Sequence, residues 1–214
     1  TFDAYIQAKK KLFDNLPANA FALFNADDKR GLVMAQNTQA TTSSFGLKTP
    51  ATFTAKLLTN TLQGLELRIA NQSVWFQLVG TFNAYNVLAA YATACLLGAD
   101  SQEVLTILSG LSPIKGRFQH MRAQAGFDAI VDYAHTPDAL KSVLTAIGKI
   151  KSKLGNIITV LGCGGDRDKQ KRPRMAQIAL KFSNRVIFTS DNPRSEAPTE
   201  IIQDMQAGMT PVQQ

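Results

Sequence analysis

The stretch Ile157 to Met175, IITVLGCGGDRDKQKRPRM, passes from an apolar run through three glycines into a dense set of charges. The apolar run is too short for a helix and predicts a strand buried on both faces. Gly162, Gly164 and Gly165 allow a sharp turn and let a ligand approach the backbone. Pro173 is typical of a first helical position. The stretch therefore predicts a strand, a loop and the start of a helix.

The loop in this stretch is a candidate anion site. Loops at the carboxyl ends of strands bind ligands in open α/β sheets, and arginines there suit a carboxylate or a phosphate. The spacing G-x-G-G differs from the dinucleotide pattern G-x-G-x-x-G, and the phosphate loop G-x-x-x-x-G-K-[ST] is absent from the 214 residues. A solvated surface loop is therefore the alternative. The charged residues of the loop are Asp166, Arg167, Asp168, Lys169, Lys171, Arg172 and Arg174.

The composition is that of a globular protein with a packed core, since 45% of the 214 residues are apolar. No apolar run approaches the roughly 18 residues of a membrane span, and no secretory signal is visible. Cys95 and Cys163 are too few for a disulfide framework or a zinc site, which favours a reducing cytoplasm. Cys163 is interpreted as a packing residue rather than a nucleophile. We expect a cytoplasmic protein without a membrane partner.

The formal net charge of the chain is +7. Nucleic-acid binding usually comes with clustered basic residues and a recognition motif, whereas the basic residues here are scattered outside two short runs. Anionic small molecules fit this charge better. No nucleic-acid partner is therefore expected.

The first half of the chain predicts helices around a set of strands. Phe2 to Phe13 has the apolar spacing of a helix, and a chain that starts inside a helix suggests missing residues upstream. The polar turn at Asp27 and Asp28 is predicted to cap a helix. Alternating apolar residues between Thr41 and Val79 predict a hairpin with its turn at residues 71–73.

Asn83 and Asn86 lie three residues apart near the start of an apolar helix, 82–97, and so share one helical face. Two amides on one face could recognise the edge of a base. The spacing alone favours a capping asparagine and a surface asparagine instead. Residues 111–113, Leu-Ser-Pro, mark a plausible domain boundary.

Three short apolar strands, 129–131, 157–161 and 186–188, alternate with helices after this boundary. They predict a parallel sheet with right-handed crossovers, and all three deliver polar loops at their carboxyl ends. Asp132, which follows the first strand, is well placed for ribose hydroxyls. Thr136 is predicted to cap the next helix.

Motifs that occur in one order along nearly the whole chain resemble the Mur ligase family, and within it the members that add meso-diaminopimelate. They are Tyr5 to Lys9, Asn25 to Asp28, Phe82 to Asn86, Gly116-Arg117, Asp132 to Asp138, Gly162 to Pro173, and Asp191 to Arg194. The resemblance implies an α/β fold. Residues 1–112 would be the rear part of a P-loop-type central ATPase domain, and residues 113–214 the front part of a Rossmann-like carboxyl-terminal domain.

The resemblance implies an ATP-dependent amide ligase of peptidoglycan precursor synthesis. Such an enzyme phosphorylates a substrate carboxylate to an acyl phosphate, which an amine then attacks. The expected substrates are UDP-N-acetylmuramoyl-L-alanyl-D-glutamate and meso-diaminopimelate, with ATP and magnesium as cofactors, in a monomeric enzyme. An L-lysine-adding relative and a non-catalytic nucleotide- or anion-binding module are the alternatives.

Roles at the nucleotide follow from the same resemblance. Arg117 and His135 match positions at the ATP phosphates, where they would stabilise charge on the transferred phosphoryl group. Asn83 and Asn86 match residues at the adenine, and Asp132 matches one at the ribose. Without the motif, His135 is a polar residue near a helix start.

Metal and amino-acid ligands are implied in the same way. Lys9 matches a lysine that the family carbamylates, which would turn a cation into an oxygen ligand for magnesium, and its alternative is a surface lysine. Arg167, Asp191, Asn192 and Arg194 match the loops that take the incoming amino acid. Arg194 would bind the extra carboxylate of meso-diaminopimelate, and lysine-adding relatives lack an arginine there. A turn with a surface arginine is the alternative for Arg194.

Three features of the family are missing from the 214 residues: the phosphate loop, the uridine-binding amino-terminal domain and the Gly-Lys-Gly-His-Glu motif. Without the phosphate loop the β- and γ-phosphates have no cradle. We therefore expect the 214-residue chain to be an inactive fragment, and the activity to belong to the intact protein.

Overall fold

The structure, a computed structural model, describes residues 2–209, with the backbone alone for Phe2. The chain divides into two compact units, the first ending at Pro113 and the second beginning at Ile114. Between residues 2 and 209 no helix has the length and apolar character that a membrane crossing demands.

The first unit combines a five-stranded mixed sheet with four helices. Its elements are α1 (Phe2–Asp14), β1 (Phe21–Asn25), α2 (Gly31–Ala35), β2 (Thr41–Gly46), β3 (Phe53–Thr61), β4 (Gly64–Ile69), β5 (Gln72–Phe76), α3 (Thr81–Leu96) and α4 (Ser101–Ser109). The strand order follows the chain from β1 to β5. β1, β2 and β3 run parallel, whereas β3, β4 and β5 form an antiparallel meander.

The predicted hairpin is present as β4 and β5, and it supplies much of the core of this unit. Leu65 and Leu67 alternate with polar residues along β4 and are fully buried against Leu88 of α3. The hairpin turn lies at Ala70 and Asn71, one position earlier than predicted. Both residues have positive φ, 47° and 63°, as a tight two-residue hairpin turn requires.

Asp27 does not cap a helix, so that prediction is wrong. Its carboxylate accepts three backbone N–H groups of residues 47–49 at 2.7 to 3.0 Å and the hydroxyl of Tyr85 at 2.8 Å. Burial acts to raise the pKa of Asp27, but the hydrogen bonds outweigh it and hold this pKa well below its ordinary value. Helix α2 begins only at Gly31, and Asp28 accepts a backbone N–H within the preceding turn.

The described part of the second unit, residues 114–209, contains two separate strand pairs and three helices. Its elements are β6 (Gln119–Arg122), β7 (Asp128–Val131), α5 (Pro137–Ile150), β8 (Ile158–Leu161), α6 (Lys171–Phe182), β9 (Arg185–Phe188) and α7 (Pro198–Gln206). β6 and β7 pair antiparallel, whereas β8 and β9 pair parallel.

Two predictions about this unit need correction. β7 pairs with β6 rather than in one ladder with β8, because the chain reverses at Gly126, with φ of 87°, and brings β6 alongside it. β8 is buried on one face only: Ile158 and Val160 are 61% and 63% exposed, whereas Leu161 is buried against α6. Within the described residues, α5 and α6 pack on a single side of this strand pair.

Helices α5 and α6 begin in different ways, and only α5 has a side-chain cap at its start. Thr136 caps α5, because its hydroxyl accepts the backbone N–H of Ala139 at 3.3 Å. This prediction is confirmed. α6 begins at Lys171, two residues before Pro173. Proline is tolerated there because the first turn of a helix has no intrahelical acceptor for its missing N–H.

Candidate functional site

A cleft of about 710 Å³ opens in the second unit, at the carboxyl ends of its strands. The loop after β7, the glycine loop after β8 (residues 162–168) and the loop after β9 (residues 189–196) each contribute to its wall. Six predicted site residues line this cleft. They are Asp132, His135, Arg167, Asp191, Asn192 and Arg194.

The glycine loop packs directly against the loop after β9. A Cβ atom on Gly165 would lie 1.8 Å from the backbone oxygen of Pro193, and one on Gly162 would lie 2.7 Å from Cβ of Asp191. The backbone N–H of Gly165 donates to the backbone oxygen of Asn192 at 3.0 Å. These two glycines are therefore required for contact between two protein loops, in addition to any approach by a ligand.

The cleft carries both signs of charge. Arg167, Arg194 and Lys171 bring cations, and Asp132 and Asp191 bring carboxylates. Arg194 donates from Nη1 to the backbone oxygen of Gly165 at 2.6 Å. Such a surface suits a small molecule with both carboxylate and ammonium groups, because guanidinium groups bind carboxylates and carboxylate oxygens accept from ammonium.

Asp132 is held by the backbone on either side. Its Oδ2 accepts the N–H of Phe118 and its Oδ1 accepts the N–H of Ala134, both at 2.8 Å. Phe118 is buried and has a φ of 47°, so this bond stabilises an unusual turn. A carboxylate oxygen has room for more than one hydrogen bond, so each oxygen of Asp132 can still accept a bond from a hydroxyl.

Tyr133 connects the two residues predicted to act at phosphates. The guanidinium carbon of Arg117 lies 4.8 Å from the centre of the Tyr133 ring, and the His135 ring meets that ring edge-on at 5.1 Å. Nδ1 of His135 donates to the backbone oxygen of Tyr133 at 3.0 Å, which directs Nε2 away from it. Arg117 is exposed and does not line the cleft. Tyr133 was not among the predicted site residues, although an aromatic side chain between Asp132 and His135 was a visible signal.

Asn83 and Asn86 belong to the first unit, on α3. Asn83 is buried and donates from Nδ2 to the backbone oxygen of Val79 at 2.8 Å, while its Oδ1 accepts from Nδ2 of Asn86 at 3.0 Å. The favoured interpretation of Asn83 as a helix cap is wrong, because α3 starts after Gly80 and no side chain caps it. The two amides instead form a bonded pair, with Asn86 exposed.

Lys9 also belongs to the first unit and is exposed on α1, with Nζ 5.5 Å from the centre of the Tyr5 ring. The neighbouring Lys10 is the buried lysine, and it pairs with Asp14. An unmodified lysine donates but cannot accept, so it offers magnesium no ligand. Across residues 2–209 no three His, Cys, Asp or Glu side chains form a group that could hold a metal.

Two residues beside the glycine loop are buried rather than ligand-facing. Cys163 lies 4.0 Å from the sulfur of Met175, and burial raises the pKa of its thiol, so its interpretation as a packing residue is confirmed. Arg172 has no exposed surface and pairs with Glu196 and Asp204. It belongs neither to a solvated loop nor to the cleft wall, so the prediction of Arg172 as a charged loop residue is wrong.

Two family profiles match the chain in sequence order. Residues 1–94 match the Mur ligase middle domain, and residues 116–214 match the Mur ligase, glutamate ligase domain. The chain belongs to the Mur ligase family. The predicted α/β fold class is thereby confirmed.

Mur ligases of known function resemble the chain over nearly its whole length. The UDP-N-acetylmuramoyl-L-alanyl-D-glutamate--2,6-diaminopimelate ligases of Cytophaga hutchinsonii and Phocaeicola vulgatus are both 54% identical over 98% of the chain. The chain spans 43% of the length of these two relatives.

Solved Mur ligase structures share this fold. A UDP-N-acetylmuramoyl-L-alanyl-D-glutamate--2,6-diaminopimelate ligase is 36% identical with a TM-score of 0.60, and the match covers 98% of this chain and 44% of that one. A UDP-N-acetylmuramate-alanine ligase from Thermotoga maritima has a TM-score of 0.67 at 20% identity, over 97% of this chain and 45% of that one. The second likeness supports the fold alone.

Proposed function

We propose that the intact protein adds meso-diaminopimelate to UDP-N-acetylmuramoyl-L-alanyl-D-glutamate, with ATP cleavage and through an acyl phosphate. The observation that carries the proposal is the cleft in which Arg167 and Arg194 lie with Asp191 and Asn192. The 54% identity to relatives named as 2,6-diaminopimelate ligases supports the same substrate.

The cleft chemistry favours meso-diaminopimelate over L-lysine. Diaminopimelate carries a carboxylate and an amine at each end, whereas lysine lacks the second carboxylate. Arg194 would bind that second carboxylate, and Arg167 would add a further cation. The oxygens of Asp191 and Asn192 would accept hydrogen bonds from an ammonium group. Removal of one guanidinium should therefore weaken diaminopimelate binding selectively.

Roles in nucleotide binding are proposed separately for residues of each unit. Asn83 and Asn86 would contact the adenine, and Asp132 would accept from the ribose hydroxyls. Arg117 and His135 would stabilise negative charge on the transferred phosphoryl group, since each presents a polar nitrogen beside the exposed Tyr133 ring. Magnesium would neutralise phosphate charge, and Lys9, once carbamylated, would be the ligand that this chain contributes.

The remaining expectations belong to the same proposal. The enzyme would be a monomer located in the cytoplasm, and the two free cysteines, Cys95 and Cys163, are consistent with that compartment. The 214-residue chain would bind ligand without turnover, because it lacks the phosphate loop. Sustained phosphate release from ATP by this chain alone would contradict that expectation.

The decisive experiment uses the intact protein. Phosphate release is measured with ATP, UDP-N-acetylmuramoyl-L-alanyl-D-glutamate and either meso-diaminopimelate or L-lysine. Release that requires the peptide-bearing nucleotide and meso-diaminopimelate supports the proposal, and the product mass identifies the amide. A preference for L-lysine supports the alternative ligase. Lys9→Ala should lower turnover, whereas Lys11→Ala, a change at another exposed lysine of α1, should not.

A further inference from the structure

A buried charge cluster lies behind the cleft wall, centred on Arg172. Its guanidinium has no exposed surface and forms a two-pronged pair with Glu196, from Nη1 to Oε2 and from Nη2 to Oε1, each at 2.9 Å. Nη1 also donates to Asp204 of α7 at 2.8 Å, and Nη2 donates to the backbone oxygen of Gly164 at 3.2 Å. Arg172 therefore connects α6 with the glycine loop, the loop after β9 and α7.

Glu196, in the loop after β9, also connects that loop with the glycine loop. Besides Arg172, its Oε1 accepts the backbone N–H of Asp166 at 2.6 Å, and Lys169 lies 3.1 Å from its Oε2. The Asp166 carboxylate in turn accepts the hydroxyl and the backbone N–H of Ser195. Glu196 follows Arg194 by two residues and holds the loop that carries it.

Both tethered loops contain a residue in an unfavourable backbone conformation. Asp166 has a φ of 51° and Arg194 a φ of 50°, in the left-handed region that non-glycine residues seldom adopt. Such conformations persist only where surrounding contacts hold them. Arg172 and Glu196 do not line the cleft, so neither is placed to touch a ligand there.

We propose that Arg172 and Glu196 are positioning residues that fix Arg167, Asp191, Asn192 and Arg194 for the incoming amino acid. This role rests on the proposed ligase function. The pair acts through the two loops, so its loss should weaken binding of the amino-acid substrate more than binding of the nucleotide substrates. Asp204 bonds the same guanidinium from α7 without joining the two loops, and it provides a matched control.

The test compares Glu196→Gln with Asp204→Asn in the intact enzyme. The glutamine amide would face the guanidinium, so the two-pronged pair is lost while the side-chain shape is kept. We expect KM for meso-diaminopimelate to rise about 10-fold or more in Glu196→Gln, with KM for ATP within about 2-fold, because small misplacements of substrate-binding groups are costly. Asp204→Asn should change both KM values little. Equal effects of the two variants, or an unchanged KM in Glu196→Gln, would overturn the proposal.

A second measurement separates this proposal from the proposed function. Amide hydrogen exchange in the 214-residue chain should accelerate at Asp166 and Ser195 in Glu196→Gln, and not in Asp204→Asn. If the wild-type enzyme shows no diaminopimelate-dependent turnover, the proposed function fails, and exchange alone decides whether Glu196 holds the loops. Unchanged exchange at both amides would overturn the positioning role whatever the substrate.

Discussion

Arg194 donates from Nη1 to the backbone oxygen of Gly165 at 2.6 Å, so the side chain predicted to bind a carboxylate is anchored to the opposite loop. A guanidinium has five N–H donors, and one bond to a carbonyl leaves others for a ligand. Anchoring reduces the side-chain freedom that binding would otherwise remove.

Replacement of Arg194 by asparagine should reduce kcat/KM for meso-diaminopimelate in the intact enzyme. Asparagine tolerates the φ of 50° at this position better than alanine does, so the change tests the guanidinium rather than the backbone. Loss of a charge-assisted contact of about 2 kcal/mol corresponds to about 30-fold in kcat/KM. Steady-state kinetics with meso-diaminopimelate and L-lysine measure the change in preference.

The matched control for Arg194 is Arg174→Ala. Arg174 is exposed on α6 and does not line the cleft. This variant should keep the wild-type preference. An Arg194→Asn enzyme with wild-type selectivity would remove Arg194 from recognition of the second carboxylate.

Gly165→Ala should disrupt the cleft wall. The added Cβ would lie 1.8 Å from the backbone oxygen of Pro193, so one of the two loops must move. We expect a loss of about 3 kcal/mol in the free energy of unfolding of the second unit. This loss of stability is measured by urea unfolding of the 214-residue chain, with amide hydrogen exchange in α5 and α6 as the signal that reports on the second unit.

Gly148→Ala is the control for Gly165→Ala, because the added methyl group meets no neighbouring atom. Gly148 lies within α5, and an added Cβ meets no atom within 4 Å. Because alanine favours a helix over glycine, this change should stabilise by about 0.5 to 1 kcal/mol. Equal destabilisation by both substitutions would contradict the tight contact between the loops.

Glu196 should make the second unit sensitive to acid. The hydrogen bonds from Arg172, with those from Asp166 and Lys169, lower the pKa of Glu196 from 4.5 to about 2. A carboxylate with a lowered folded-state pKa contributes stability that is fully present above the unfolded-state value and is lost as pH falls through the folded-state value. The free energy of unfolding should therefore decline between pH 4.5 and about 2.

The same measurement in Glu196→Gln isolates this contribution. The stability difference between wild type and variant should shrink as the pH falls through that window, because wild-type Glu196 becomes neutral too. Glu200→Gln, at an exposed position of α7, serves as the control. A difference that stays constant with pH would contradict the pairing of Glu196 with Arg172.

Asp27→Asn should destabilise the first unit. The variant loses the charge that accepts three backbone N–H groups and the Tyr85 hydroxyl, at an expected cost of about 2 kcal/mol. Trp75, the single tryptophan, lies on β5 and reports unfolding of this unit by fluorescence. Tyr85→Phe removes one of the four bonds and should cost about 1 kcal/mol.

Tyrosine titration provides an independent check on Asp27. Burial and the neighbouring Asp27 carboxylate together raise the pKa of Tyr85 to about 12. Without the negative charge of Asp27, the Tyr85 hydroxyl should ionise at lower pH, although burial still opposes it. Ultraviolet absorbance of the chain, which has four tyrosines, follows this shift. An unaltered titration curve in Asp27→Asn would contradict the contact.

Features that depend on neighbours in sequence were predictable. An apolar run followed by glycines indicated β8 and its loop, and Thr136 before proline indicated the start of α5. Polar residues directly after three strands indicated which side chains would meet, because carboxyl ends of neighbouring strands lie close together. Arg167 and Asp191 share the cleft for this reason, because β8 and β9 pair in parallel; Asp132 also lines the cleft, although β7 pairs with β6 instead.

Features that depend on distant partners were not predictable. Arg172 pairs with residues 24 and 32 positions away, and Asp27 bonds a loop about 20 positions away. Local spacing carries no information about such contacts, so Arg172 was grouped with ligand-binding charges and Asp27 with helix caps. The exposed face of β8 was missed for a related reason, since an apolar strand does not specify how many faces its own unit covers.

The main-chain contact between the glycine loop and the loop after β9 bears on how this protein can evolve. Backbone atoms of Gly165, Asn192 and Pro193 form that contact, so mutations at Asp191 or Asn192 can change the chemistry of the wall while the scaffold persists. Position 194 tolerates fewer substitutions than positions 191 and 192. Its left-handed backbone restricts replacements to the few residue types that tolerate this conformation. Relatives that evolve a different amino-acid preference are therefore expected to carry asparagine or glycine most often at position 194.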